Sequence, residues 1–379
     1  MAGTKYYYLD NAATSWPKPE PVYKAVESAL RAGGNPGRSS HRSSLAAERL
    51  LFAAREKTAA FFGIENPSSL VFSLNATDAL NMAIKGVLCK GGHVIITPFE
   101  HNSVLRPLNS LARDGLILLE EVPCTSAGEP DLNAYGEMFR PDTALVIATH
   151  ASNVTGLIMP VREMAAIARE KGVPFLLDAA QTAGVIPIDV KELKPQLLAF
   201  AGHKGLLGPP GTGGLYVEDG LCLRPWREGG TGSRSHEVLQ PAEMPDCLEA
   251  GTHNIPGIAG LAAGIAYLQE VGLAKVREHE TLLAGRLREG LKSIPGVVVY
   301  GPENPLKGVA VISFELEGVD SGEVGYILEE TYGILCRTGL HCAPNAHKQL
   351  GTFPRGTVRV SPGLFTTEAE AAYLLKAAM

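Results

Sequence analysis

Between residues 70 and 217 the chain repeats one pattern, a short apolar run followed by a segment of helix length. The runs at 94–97, 116–119, 144–147, 175–178 and 197–200 are apolar without alternation, which is how strands buried on both faces read. Amphipathic stretches such as 161–171 separate several of them. Such a succession buries its apolar faces as a mainly parallel sheet with helices on both sides, so the predicted class is α/β. Ligands of sheets built this way sit beyond the carboxyl ends of the strands. The residues just after each run are therefore where chemistry is expected.

Past about residue 255 the pattern changes. One long helical region is predicted over 257–294. It is followed by strand-like runs at 297–300 and 309–314, a helix from Ser321, a short run at 334–337, a strand at 357–361 and a terminal helix. This reads as a smaller α+β unit. At 379 residues the chain exceeds one ordinary core and fits two domains. The boundary is placed in the long helix, with 15–260 as the large domain and 1–14 plus 261–379 as the small one.

A net charge of −6 gives no electrostatic reason to expect nucleic acid or an anionic membrane as partner. No apolar run is long enough to span a bilayer, and the first ten residues lack the apolar region of a signal peptide. Six cysteines without CxxC pairs or His/Cys metal spacing argue against a disulfide framework and a metal site. A reducing, cytoplasmic setting is expected.

The segment Phe200-Ala201-Gly202-His203-Lys204 places a lysine after a buried run and before a glycine-rich loop. A lysine that condenses with an aldehyde cofactor needs this combination of rigid neighbours, pocket access and a partly deprotonated amine. The following Gly208-Pro209-Pro210-Gly211-Thr212-Gly213 resembles a nucleotide phosphate loop, but Gly214 and Leu215 stand where Lys-Ser/Thr is required, which excludes ATP binding. Asp178 ends another apolar run, and so buried a carboxylate requires a cationic partner. A protonated pyridine nitrogen would serve, as would a helix or turn start capped by the same side chain.

Thr77 is a plausible cap for the helical stretch after Asn75, where free N–H groups suit a phosphate. His101 and Asn153 each follow a strand and should lie at the ligand edge, His101 able to stack on a planar group and move protons. Taken alone, each is more often a turn or capping residue. Cys342 lies between Gly339 and Pro344, which predicts an exposed, mobile loop, and neighbouring Arg337 and His341 would favour its thiolate form. Cys89, Cys222 and Cys336 stand in apolar contexts and are expected in the core. Arg359, inside a strand-like segment, suits bidentate carboxylate binding or a structural ion pair.

Together these motifs resemble the class V aminotransferase branch of the fold-type I pyridoxal-phosphate enzymes, and within it the cysteine desulfurases. The likeness runs from Tyr8-Leu9-Asp10-Asn11-Ala12-Ala13-Thr14 through Asn75-Ala76-Thr77, Glu100-His101-Asn102 and Ser152-Asn153. It continues through Asp178-Ala179-Ala180-Gln181, Gly202-His203-Lys204, Glu249 to Asn254, Arg337 to Cys342, and Arg359-Val360-Ser361. The resemblance implies a mainly parallel seven-stranded sheet in the large domain.

It further implies that Lys204 holds pyridoxal phosphate and shuttles the α-proton, that Asp178 pairs with the ring nitrogen, and that Gln181 reaches the ring hydroxyl. His101 would stack on the ring. Ala76, Thr77 and His203 would hold the phosphate, helped by Thr231 and Ser233 across a homodimer interface. Asn153, Arg359, Arg337 and Ala12 would contact the substrate, L-cysteine. Cys342 would take its sulfur as a persulfide, leaving alanine, and a sulfur-acceptor protein is a possible partner. The short interval from Cys342 to Arg359 resembles the desulfurases with a compact cysteine loop.

Three positions depart from the family pattern: Ala201 for Ser or Thr, Thr366 for Asn, and Leu340 for a second histidine. Selenocysteine lyase, which uses the same site, is the nearest alternative, followed by another class V reaction such as transamination. A catalytically silent relative would be expected to lack Lys204, Asp178 or Arg359, and all three are present.

Overall fold

Among the described residues, thirteen strands organise the chain. They are β1 (Tyr7–Tyr8), β2 (Leu70–Ser73), β3 (Gly92–Ile96), β4 (Ile117–Glu121), β5 (Thr143–Thr149), β6 (Phe175–Asp178), β7 (Leu197–Ala201), β8 (Gly213–Val217), β9 (Val297–Tyr300), β10 (Ile312–Leu316), β11 (Ile334–Leu335), β12 (Arg337–Gly339) and β13 (Thr357–Val360). The computed structural model describes residues 6–37, 41–125 and 127–379. The start of the chain, read above for a signal peptide, falls partly on residues 1–5, outside the described residues.

The five apolar runs are all strands of one seven-stranded sheet, ordered β2-β8-β7-β6-β5-β3-β4. β3, β4, β5, β6 and β7 pair in parallel, and β8 runs antiparallel to both β2 and β7. Because side chains alternate across a sheet, the same strands feed two cores. Ile95, Val146, Leu177 and Leu198 pack on one face, and Val94, Ile147, Leu176 and Leu197 on the other. Asp178 lies level with Thr149 of β5 and Ala199 of β7, so β5 and β6 end together, β7 two residues further on, and the loops after them share one edge.

β12-β13-β10-β9 form a second, antiparallel sheet with its own core of Ile312, Phe314, Val358 and Val360 against Leu283 and Leu287. The first residues of the chain join this region. β1 pairs in parallel with β11, and Asp10 bridges to Ser361.

Four expectations need correcting. The long helix is two, Ile255–Val271 and Leu273–Lys292, set at 83° to each other. Gly272, at φ +89°, donates its N–H to Leu268 O and ends the first helix, a conformation open to glycine and strained for other residues. The strand expected over 309–314 starts only at Ile312, and the run at 334–337 divides between β11 and β12 at Cys336. Cys89 and Cys222 are exposed and Cys336 is half-buried. Cys89 lies in a tight turn after a helix and Cys222 in the loop after β8, where an apolar neighbour does not bury the residue. No single described helix is long and apolar enough to cross a membrane.

Candidate active site

The loops after β3, β5, β6 and β7 meet around a cavity of about 200 Å³ lined by His101, Asn153, Asp178, Gln181, Lys204 and Arg359. Lys204 sits two residues beyond Gly202, where the chain leaves β7. A Cβ at Gly202 would stand 2.1 Å from Thr212 Oγ1, so glycine is what lets the lysine turn pack against its return strand. Lys204 is half-buried against the cavity and makes no ion pair among the described residues. Burial brings its ammonium down to about 8, against the upward pull of Asp178, with Arg359 and Arg337 adding to the fall.

Asp178 is 3% exposed. Among the described residues its carboxylate has one hydrogen bond, from the Ala180 N–H to Oδ1, 2.9 Å. Burial holds its carboxyl above the usual range, offset in part by that bond and by Lys204. A second buried acid, Glu100, lies beside it. Glu100 Oε1 accepts from Thr97 Oγ1 (2.6 Å) and Thr149 N (2.8 Å), tying the end of β3 to β5, and burial pushes this carboxyl up to about 8.

His101 caps the helix Asn102–Arg113: its Nδ1 accepts from Ser103 N at 3.0 Å. That bond leaves Nε2 to carry the proton of the neutral ring. Burial first, then Lys204, lowers the imidazolium to about 4. Ser103 Oγ lies 2.8 Å from His101 Nδ1 and 2.7 Å from Thr77 Oγ1, a link the sequence reading missed.

The helix Ala76–Val87 starts at the same cavity. Its cap is Asn75, whose Oδ1 accepts from Asp78 N at 2.9 Å, and not Thr77, which lies in the first turn. Asn75 takes the earlier position because Gly213 of β8, where a Cβ would stand 2.8 Å from Asn75 Cα, allows the backbones that close. Ala76, Thr77, Ala12 and His203 line the cavity. Gln181 Nε2 donates to Ala12 O at 3.2 Å.

The two arginines stand opposite one another in the β12–β13 pairing. Arg359 is 1% exposed; its Nη1 donates to Asn153 O (3.1 Å) and its Nη2 to Asp10 Oδ1 (2.7 Å). Its Nε is buried without a partner. Arg337 Nη2 contacts Cys342 Sγ at 3.2 Å.

The cysteine loop differs from expectation. Cys342 is half-buried and its turn is pinned on both sides: Asn102 N donates to Cys342 O (2.7 Å) and Asn153 Nδ2 to His341 O (2.6 Å). His341 and Cys342 both adopt positive φ, +47° and +60°, a strained pair for non-glycine residues. Nor does His341 supply charge to the thiol. Burial and Arg359 lower its imidazolium to about 2, and its Nε2 lies 3.0 Å from Thr357 Oγ1.

Thr231 and Ser233 are not brought to this cavity by their own chain. They bond to each other at 3.1 Å beside a separate, open cavity lined by 228–241. Asp10, quoted above in a motif but given no role, is the residue the sequence reading left out. Nothing local connects it to an arginine 349 positions away.

A half-buried lysine and a buried carboxylate facing one cavity, at the carboxyl edge of a mainly parallel sheet, are the arrangement of the fold-type I class of enzyme. The chain belongs to the class V aminotransferases, whose family model matches residues 7–374. It is 37% identical over 362 residues to a protein named probable cysteine desulfurase from Pyrococcus abyssi, covering 93% of this chain and 88% of that one. A protein so named from Methanothermobacter thermautotrophicus is 35% identical, with 96% and 92% covered. Among solved structures, the apo cysteine desulfurase of Thermococcus onnurineus superposes with a TM-score of 0.92 at 35% identity, covering 98% of this chain and 93% of that one. The Escherichia coli cysteine desulfurase CsdA, with an S-sulfonic acid, gives a TM-score of 0.87 at 28% identity, covering 98% and 93%.

Proposed function

We propose that the protein is a pyridoxal-phosphate-dependent cysteine desulfurase that converts L-cysteine to L-alanine and carries the sulfur as a persulfide on Cys342. The observation that carries this reading is one constellation. A half-buried, depressed lysine and a buried carboxylate share a cavity with Arg359 and Arg337, and Arg337 contacts a cysteine sulfur. The family and the names of its relatives support it.

The residues fit pyridoxal phosphate. Asp178, with a single hydrogen bond, is the counter-ion a protonated ring nitrogen needs. Ala76 and Thr77, at the start of a helix and at the cavity wall, suit the phosphate, with His203 beside them. Lys204 supplies the amine for the aldehyde, His101 the ring face, and Gln181 a contact to the ring hydroxyl. When bound, the cofactor makes the substrate's α-carbon acidic by taking up electron density.

The protein's own groups do the rest. Arg359, oriented by Asp10 and Asn153, holds the α-carboxylate, with Arg337 and Ala12 nearby. Lys204 Nζ, brought down to about 8, holds or releases a proton near neutral pH. Cys342 Sγ, next to the Arg337 guanidinium, bonds to the substrate sulfur as the carbon–sulfur bond breaks. The carbon skeleton, reprotonated, leaves as alanine.

Thr231 and Ser233 would then act on the phosphate of a second copy, which makes the protein a homodimer. A large domain over 15–260, a small one over 1–14 and 261–379, a sulfur-acceptor protein and a cytoplasmic location complete the proposal.

The test is sulfide and alanine production from L-cysteine, wild type beside Cys342→Ala. Loss of both products in the variant is expected. Production unaffected by the variant overturns the reading, and release from L-selenocysteine that survives the substitution assigns the protein as a selenocysteine lyase.

A further inference from the structure

The buried stripe of the helix Leu273–Lys292 runs through Val276, Glu280, Leu283, Leu287 and Leu291, at the three- and four-residue spacing of one helical face. An apolar residue at position 280 would continue it. Glu280 stands there instead, 7% exposed, and a carboxyl buried without a partner is destabilising. A local rule broken in this way points to function.

The surroundings of Glu280 indicate which. It lines a small cavity of about 50 Å³, whose other polar side chains are Asn11, Ser15, Gln181 and Lys204. Lys204, Gln181 and Ala12 also line the larger cavity around Asp178, so they form the wall that the two share. Asn11 and Ser15 are engaged elsewhere: Asn11 Nδ2 donates to Ser361 O (3.0 Å) and Ser15 Oγ to Lys204 O (2.8 Å). The Lys204 amine and the Glu280 carboxyl make no hydrogen bond among the described residues. Space of this size takes about three waters, and polar groups in its wall would hold them. Lys204 and Glu280 are the two titratable side chains that line it. From Glu280's own helix Arg277 acts on the carboxyl, opposing its rise to about 8. The Lys204 amine stands at about 8 as well, and groups so matched pass a proton in either direction.

We propose that Glu280 serves Lys204 as a proton relay, through water held in the small cavity. It touches neither substrate nor cofactor and acts through the lysine. The protons balance. In forming alanine, Lys204 takes one proton from the α-carbon, whereas the carbon skeleton needs two, one at the α-carbon and one at the β-carbon. Glu280 supplies the second: its O–H bond breaks, the waters pass the proton on, and an N–H bond forms at Lys204 Nζ. The substrate thiol releases one proton as its sulfur passes to Cys342, and that proton returns through Lys204 and the waters to the carboxylate. The proposal rests on the reading of Lys204 as the group that moves the α-proton.

The experiment follows exchange of the α-hydrogen of L-alanine for deuterium in D2O by proton NMR. It uses the holoenzyme of wild type, Glu280→Gln, Glu280→Asp and Glu280→Ala, the last with and without formate. Exchange should fall about tenfold or more in Glu280→Gln and Glu280→Ala, stay within about threefold in Glu280→Asp, and recover in Glu280→Ala when formate is added. The dissociation constant of the cofactor and the alkylation rate of Cys342 should stay within about twofold in every variant, because the relay acts on the proton transfer alone. Thermal melting identifies the folded variants, and Glu280→Gln, which keeps the shape of the side chain, carries the test if Glu280→Ala unfolds. Exchange unmoved in Glu280→Gln overturns this proposal alone. A loss that follows cofactor affinity, and that neither Glu280→Asp nor formate restores, assigns Glu280 to packing behind the lysine turn and also overturns it. Wild type that forms alanine from L-cysteine without exchanging added L-alanine overturns it too, since a relayed proton is shared with water. Wild type that does neither overturns the desulfurase reading and this proposal together.

Discussion

The amine of Lys204 offers the sharpest test of the site, with pH as the perturbation. Enclosure lowers its ammonium from 10.5 to about 8, the two arginines adding to the effect of burial and Asp178 opposing it. A fall of that size raises the free-amine fraction at neutral pH about 300-fold over an ordinary lysine. The apoprotein should therefore recombine with pyridoxal phosphate at a rate that climbs about tenfold per pH unit and then levels near pH 8. Stopped-flow absorbance on the apoprotein, with Lys204→Ala as the blank, measures it. Exposed lysines of the same protein, labelled in parallel by a small aldehyde, should go on climbing well past the point where Lys204 has levelled. A Lys204 profile that climbs with them to about pH 10 would mean that the enclosure does not depress the amine, and the argument for a preset nucleophile would be refuted.

Two further outcomes are expected. Glu280, on the helix Leu273–Lys292, is buried without a hydrogen bond or ion pair among the described residues, and burial pushes its carboxyl up to about 8. A folded-state value above the unfolded one means stability is full below the unfolded value and is lost as pH rises to the folded one. Glu280→Gln should thus match wild type near pH 4.5 and exceed it by a few kcal/mol, in order of magnitude, near pH 8, read by urea unfolding across that window; a pH-independent difference would contradict this. Arg337→Ala removes the guanidinium 3.2 Å from Cys342 Sγ. Alkylation of Cys342 should slow by roughly five- to tenfold, judged against exposed Cys89 in the same digest, and Arg337→Lys should recover part of the rate.

Much of the site could be read in advance because parallel strands buried on both faces leave an unbroken apolar signal, and the residue after each is placed by the fold. Lys204, Asp178, His101 and Asn153 belong to this group. What could not be read depends on direction or distance. Asn75 and Thr77 are both good caps, and only the approach of Gly213 decides between them. His341 adjoins Cys342 in sequence, but the two left-handed residues turn its ring toward Thr357 and into the interior, where it is neutral. The bend at Gly272 is hidden because both helices are helix-like in composition and a single glycine separates them. β2 and β8 were not picked out among the apolar runs, since Gly213 and Gly214 open β8 and interrupt its apolar character.

The strap of residues 8–18 joins the two halves of the site. Ala12 N donates to Ser361 Oγ (2.9 Å), Ser15 Oγ to Lys204 O (2.8 Å) and Lys18 Nζ to His203 O (2.8 Å). Asn11 and Ser361 are 350 positions apart in the chain. During synthesis this strap emerges with no partner for these bonds and must wait for residues about 350 positions later. The cavity is therefore completed only once the segment around Ser361 has been made, because contacts of such separation bear the full loop-closure entropy. A truncated chain, even one retaining Lys204, Asp178 and the whole central sheet, would lack the clasp on the lysine turn. Closure of the cavity thus depends on both segments together, and loss of either would be felt at its centre.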